Sequence, residues 1–168
     1  MASGCGDPQK DRPSHETSYV GINHPLHESW NLRLTVTKSG IRRAVVEAGY
    51  GAEFQTNAGT EHHLENGLKV TFFDINGLTN TTLTAQKAVI HDNRDIEILG
   101  NVIMTSKDNT VVKTEYAIWT VKDKMIRSNR LVTITRPNQT ISGKGFESDQ
   151  ELKKYRIFQV SGEAVINK

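Results

Sequence analysis

The chain has 168 residues, enough for one domain with a sizeable core, and 36% of them are apolar. Lysine and arginine number 21 against 19 aspartates and glutamates, so the total charge supplies no field that would gather nucleic acid, and none is expected as a partner. No run of about 18 apolar residues occurs, so nothing in this sequence spans a bilayer as a helix.

The only cysteine is Cys5. One cysteine cannot close an internal disulfide, and no partner stands at zinc-ligand spacing. Ala2-Ser3-Gly4-Cys5 resembles the lipobox of bacterial lipoproteins, in which small residues precede a cysteine that is acylated and becomes the mature N-terminus. The charged and apolar leader of such a signal is represented only by Met1, so the resemblance implies a trimmed leader. A free thiol in a frayed terminus is the plainer alternative. From Gly6 to Ser29 the sequence is polar, holds Pro8, Pro13 and Pro25, and has no apolar period. It reads as a disordered tether. Residues 1–29 are therefore expected to be a lipobox-like segment and linker, and 30–168 the folded domain. The expected membrane attachment is acylated Cys5, carrying several acyl chains, since one alone anchors marginally.

Trp30, Leu32, Leu34 and Val36 alternate with Asn31, Arg33, Thr35 and Thr37, the period of a half-buried strand. Leu68, Val70 and Phe72 repeat the device, as do Ile96, Ile98, Val102 and Met104 on either side of Gly100-Asn101. Asn66-Gly67 and Asn76-Gly77 predict type I′ hairpins, whose two central residues need positive φ. Polar clusters at residues 92–94, 107–109, 122–124, 137–139 and 151–153 recur at a spacing of about 15 residues, so each interval is one long strand. Gly100, Ser128, Gly143 with Gly145, and Gly162 fall near the middle of these intervals, where a small residue permits a bulge or bend. After the tether only Pro137 interrupts the pattern, as a sheet requires. The predicted fold is all-β: a bent antiparallel β-sandwich or open jelly roll, folded like a taco.

The run ILGNVIMTSKDNTVVKTEYAIWTVKDKMIRSNRLVTITRPNQTISGKGFESDQELKKYRIFQVSGEAV carries Gly100-Asn101-Val102, Thr114-Glu115 with Trp119, Gly143 to Asp149, and Val160-Ser161-Gly162 in order. With VTFFDINGLTNTTLTAQKAVI ahead of it, the chain from about residue 30 to 166 resembles the OstA-type repeat of lipopolysaccharide export, and specifically the LptC family in its lipoprotein form. The resemblance implies a non-enzymatic periplasmic domain at the inner membrane. It would bind lipopolysaccharide in an apolar groove and pass it from the inner-membrane ABC transporter subunits to an LptA-like bridge protein by β-strand addition. Candidates for the groove are Phe72, Leu83, Ile98, Val102 and Met104, followed by Tyr116, Ile126, Val132, Ile134 and Phe158. Edge candidates are Trp30, Leu32 and Leu34 on the first strand, Trp30 to Lys38, and Tyr155, Ile157 and Val160 on the last, Tyr155 to Asn167.

Other chemistry is thinly supported. Ser142-Gly143-Lys144-Gly145 lacks the glycine spacing and the hydroxyl residue of a phosphate loop. His62-His63, near Glu61 and Glu65, would point to opposite faces of a strand, so no metal site is expected. Asn80-Thr81-Thr82 and Asn138-Gln139-Thr140 fit the glycosylation pattern but read as turn and strand in a bacterial lipoprotein. No catalytic grouping and no cofactor motif stands out. Two alternatives to the anchored carrier remain: a soluble LptA-like bridge protein, and a β-sandwich lipoprotein that binds glycan or protein.

Overall fold

A computed structural model describes residues 24–160. Ten antiparallel strands form one sheet: β1 (His27–Lys38), β2 (Ile41–Thr56), β3 (Gly59–Phe73), β4 (Thr79–Ala85), β5 (Lys87–Ile90), β6 (Ile96–Ser106), β7 (Val111–Thr120), β8 (Met125–Arg136), β9 (Gln139–Ser148) and β10 (Tyr155–Ile157). The strands lie in the order β1-β2-β3-β4-β6-β7-β8-β9-β10. β4 and β5 share one place between β3 and β6, as two halves of a strand broken at Gln86. The bent all-β sandwich predicted from the alternation is the fold observed. Cys5, most of the tether and Gly162 lie outside the described residues, and the first strand begins at His27 rather than at Trp30.

What bends the sheet is a line of irregularities crossing it at one level. Pairing shifts between Ala48 and Tyr50, Leu99 and Val102, Thr114 and Ile118, and Ser128 and Leu131. Extra residues in a ladder bend the strand and sharpen its twist, so bulges at matching depth in successive strands crease the whole sheet. Gly100 illustrates why the sequence permits this. Its φ is +77°, and a Cβ there would stand 2.3 Å from the Gln86 Oε1. Only glycine takes that conformation at that approach without strain. The backbone groups released at the crease are taken up locally. The Gln86 N–H donates to the Gly100 carbonyl at 2.9 Å, the Asn101 N–H to Glu115 at 3.1 Å, and the Thr114 hydroxyl to the Leu131 carbonyl at 3.0 Å.

Asn66-Gly67 departs from its prediction. Both residues have positive φ, as a hairpin turn would need, but they lie inside β3 and form part of the crease opposite Gly49. A bulge and a type I′ turn draw on the same left-handed backbone, so the dipeptide alone does not separate them. Asn76-Gly77 does sit in the β3–β4 turn, though only Gly77 has positive φ there. The Asp74 carboxylate accepts from the Asn76 and Leu78 N–H groups and so sets the turn. Four of the five predicted polar clusters fall between strands, and the fifth spans the β8–β9 turn at Pro137-Asn138 with Gln139 opening β9.

The core lies between the two wings of the creased sheet. Val102, Met104, Val112, Val132, Ile134 and Phe146 are 0–1% exposed. Leu152, from the loop between β9 and β10, is also 1% exposed and seals one flank. β1 contributes little: every residue of it except Leu32 is exposed. β1 and β10 are the two edges of the sheet. β10 is short within the described residues, and Val160 beyond it bridges to Gly143.

Candidate functional site

An apolar cavity of about 330 Å³ opens between the wings. Val46 of β2, Val70 and Phe72 of β3, and Leu83 of β4 form one wall, and Ile90, Ile98, Trp119 and Ile126, from β5 to β8, form the other. Pairing explains why these side chains share a face. Leu83 stands opposite Val70 and Met104, Ile98 opposite Ala88 and Ala117, and Trp119 opposite Ile96 and Ile126, and directly paired residues project to the same side of a sheet. The volume is near the lower end of the ~300–1,000 Å³ typical of small-ligand sites.

Polar groups border the cavity at one end: Arg43, Asn80, Gln150 and Glu151. The loop that carries the last two is tightly built. The Asp149 carboxylate accepts from the Lys153 and Lys154 N–H groups at 2.9 and 3.3 Å, and the Thr81 hydroxyl donates to the Gln150 carbonyl at 3.1 Å. Glu151 pairs with Lys153, and that hydrogen bond holds its carboxyl below the ordinary glutamate value.

Of the ten residues expected to form a groove, Phe72, Leu83, Ile98 and Ile126 line this cavity. Val102, Met104, Val132 and Ile134 lie behind it in closed core. Tyr116 and Phe158 border a different hollow, about 290 Å³, with Arg127 and Asn129. The register shift between Leu99 and Val102 sets Ala117 opposite Ile98 and Tyr116 opposite Leu99, which turns Tyr116 to the face away from Ile98. Burial there raises its phenol pKa. Strict alternation carried through a bulge comes out one residue out of phase. Trp119, Leu64, Ala88 and Ile90, not among the expected residues, line the cavity as well. Counting alternation backwards from the turn after Trp119 finds it on the same face as Ala117.

At the edges, Trp30 and Leu34 are exposed on β1, and Leu32 packs toward the core. The Trp30 ring lies 5.8 Å from that of Tyr50, whose hydroxyl donates to Glu28; this bond is the main cause that raises the Tyr50 pKa. Tyr155 and Ile157 of β10 pack against the core, and Val160 is exposed.

His62 and His63 do point apart. His63 Nε2 is 3.1 Å from one oxygen of Glu61, and His91 Nδ1 is 3.1 Å from the other, whereas His62 lies 3.9 Å from Glu53. The His63 hydrogen bond, then that of His91, holds Glu61 below the usual carboxylate range. Among the described residues no three histidine, cysteine or acidic side chains are grouped to hold a metal ion, and no helix is long and apolar enough to cross a membrane. Ser142 to Gly145 form part of strand β9, not a strand-to-helix loop.

Comparison with known proteins gives one result. No curated protein matches the sequence. The family profile described as lipopolysaccharide-assembly, LptC-related, matches residues 33–162, most of the chain and nearly the whole of the creased sheet. The chain belongs to the LptC family of lipopolysaccharide-assembly proteins.

Proposed function

We propose that this domain carries lipopolysaccharide across the periplasm by holding its acyl chains in the cavity between the wings. Exposing an acyl chain to water costs about 0.8 kcal/mol per CH₂, so a carrier must offer hydrocarbon surface along the path. Phe72, Leu83, Ile98 and Ile126 offer it, and this apolar lining is the observation that carries the reading. The cavity is small against a lipid with several chains. The sugar head therefore stays in solvent, and Arg43 and Asn80 border the space where it would emerge.

The same reading gives the two edges their work. β1, exposed almost throughout and free of proline, takes strand addition from one neighbour, and β10 with Val160 takes it from the other. The neighbours are the inner-membrane ABC transporter subunits and an LptA-like bridge protein. Acylated Cys5 anchors the domain to the inner membrane. A photoreactive side chain at Phe72 or Ile126 should crosslink to added lipopolysaccharide, and one at exposed Lys124 should not. Equal labelling at all three positions, or none at the first two, would remove the carrier assignment.

A further inference from the structure

Among the described residues three arginines are half-buried: Arg43, Arg127 and Arg136. Arg127 pairs with Asp123 and Glu147, and the Arg136 guanidinium lies over the Tyr155 ring at 4.7 Å. Arg43 has no ion pair, side-chain hydrogen bond or ring partner among the described residues. Its nitrogens remain open to solvent, unlike the sealed Nε of Arg136. A guanidinium partly withdrawn from water loses hydration that an anion would replace.

The backbone aims Arg43 at the cavity. Val36 pairs with Ala44 and Thr37 with Arg42, so Arg43 is the extra residue of a bulge in β2. Ala44 borders the cavity, so strict alternation would turn Arg43 outward; the bulge turns it in, and it borders the cavity as well. A second bulge answers it on the far side of β3. Phe72 pairs with Thr81 and Phe73 with Thr79, which leaves Asn80 as the extra residue of β4, bordering the same space. Ala44 and Thr81 both stand opposite Phe72, so Arg43 and Asn80 lie at one level of the sheet, two strands or about 10 Å apart. Glu151, the acid at this end, is paired with Lys153.

A cavity with hydrocarbon walls and an unpaired cation at its rim fits an amphiphile with an anionic head. We propose that the Arg43 guanidinium takes a phosphate carried by the lipid, so that the head is held at the rim while the chains lie among Leu83, Ile98 and Ile126. A planar fork of donors matches phosphate oxygens, and at the rim the phosphate stays partly hydrated, so its charge does not enter the hydrocarbon. The inference rests on the acyl-chain reading above and adds a preference to it: lipids with a phosphate next to the chains bind better than neutral lipids with the same chains.

The protein is titrated with a short-chain diacyl phosphatidate and, separately, with a neutral diacyl glucosylglycerol of the same chains, both below micelle formation and at one ionic strength. Leu83 and Ile98 methyl signals report occupancy and affinity, and the Arg43 Nε–H signal reports the anion. Phosphatidate should bind about tenfold more tightly, the worth of one charge-assisted hydrogen bond, and it alone should shift the Arg43 signal. Arg43→Gln should bring the two lipids to equal affinity, whereas Arg42→Gln, next to it but stacked on Phe73, should keep the preference. If Arg43→Gln does not fold, the wild-type affinities and the Arg43 signal decide. Inorganic phosphate at the same concentration should leave that signal unmoved; an equal shift would make this a site for the free ion and overturn the lipid assignment. Equal wild-type affinities, a preference that survives Arg43→Gln, or one lost equally in Arg42→Gln would overturn the proposal and leave the carrier reading standing. Unmoved methyls with both lipids would remove both.

Discussion

The two halves of the sheet put the same alternation to opposite uses. In β2 to β5 the inward side chains Val46, Val70, Phe72 and Ile90 stand around open space. In β7 to β9 only Trp119 and Ile126 reach the cavity, and Val112, Val132, Ile134 and Phe146 are at most 1% exposed. β6 divides the regimes within one strand: Ile98 lines the cavity, and Val102 and Met104, beyond the crease, are sealed. Unfilled space forfeits dispersion contacts that close packing would supply. The closed half must therefore offset what the open half gives up, and stability and binding should respond to different residues.

The largest expected loss is in the closed half. Met104→Ala should cost about 3 kcal/mol, seen as a lower urea midpoint, because nothing around a fully buried side chain can fill the void. Next comes the crease. Gly100→Ala should cost about 2 kcal/mol, since a side chain is forced into left-handed backbone and against Gln86. Phe72→Ala should cost less, about 1 kcal/mol, because the ring already borders open space, yet it should lower lipopolysaccharide binding more than Met104→Ala does. A Phe72 loss as large as that of Met104 would dissolve the distinction between the halves.

The smallest expected effect is electrostatic. Hydrogen bonds from Arg127, then from Thr120, hold the exposed Asp123 carboxyl far below its ordinary range, and Glu147 completes the cluster on Arg127. A carboxyl whose pKa is depressed in the folded state adds stability above the unfolded value, about 4, and loses it as pH falls toward the folded value. Asp123→Asn should therefore lower the melting midpoint slightly at pH 7, with a gap that narrows below about pH 4. The gap should also narrow in high salt, because the pair is exposed.

Strand existence and turn positions were legible in the sequence because alternation and polar clusters act locally. The crease was legible in part: Gly100, Ser128 and Gly145 marked it, whereas Asn66-Gly67 carried the backbone signature of a turn and a bulge alike. Phase across a bulge was not legible. Tyr116 and Ala117 are both plausible inward residues, and only the register with Leu99 and Ile98 decides between them. Leu152 sits in a polar turn cluster, yet it packs into the core because its loop folds back across the opening. Which half-buried arginine lacks a partner depends on every neighbour in space, so nothing local in the sequence singles out Arg43.

The separation of a closed half from a lipid-holding half is tested most directly by intermolecular NOEs between lipopolysaccharide acyl protons and protein methyl groups. NOEs to Leu83 and Ile98, with none to Val132 and Ile134, are the predicted result. NOEs confined to Val132 and Ile134, or absent from all four while the lipid is bound, would contradict it.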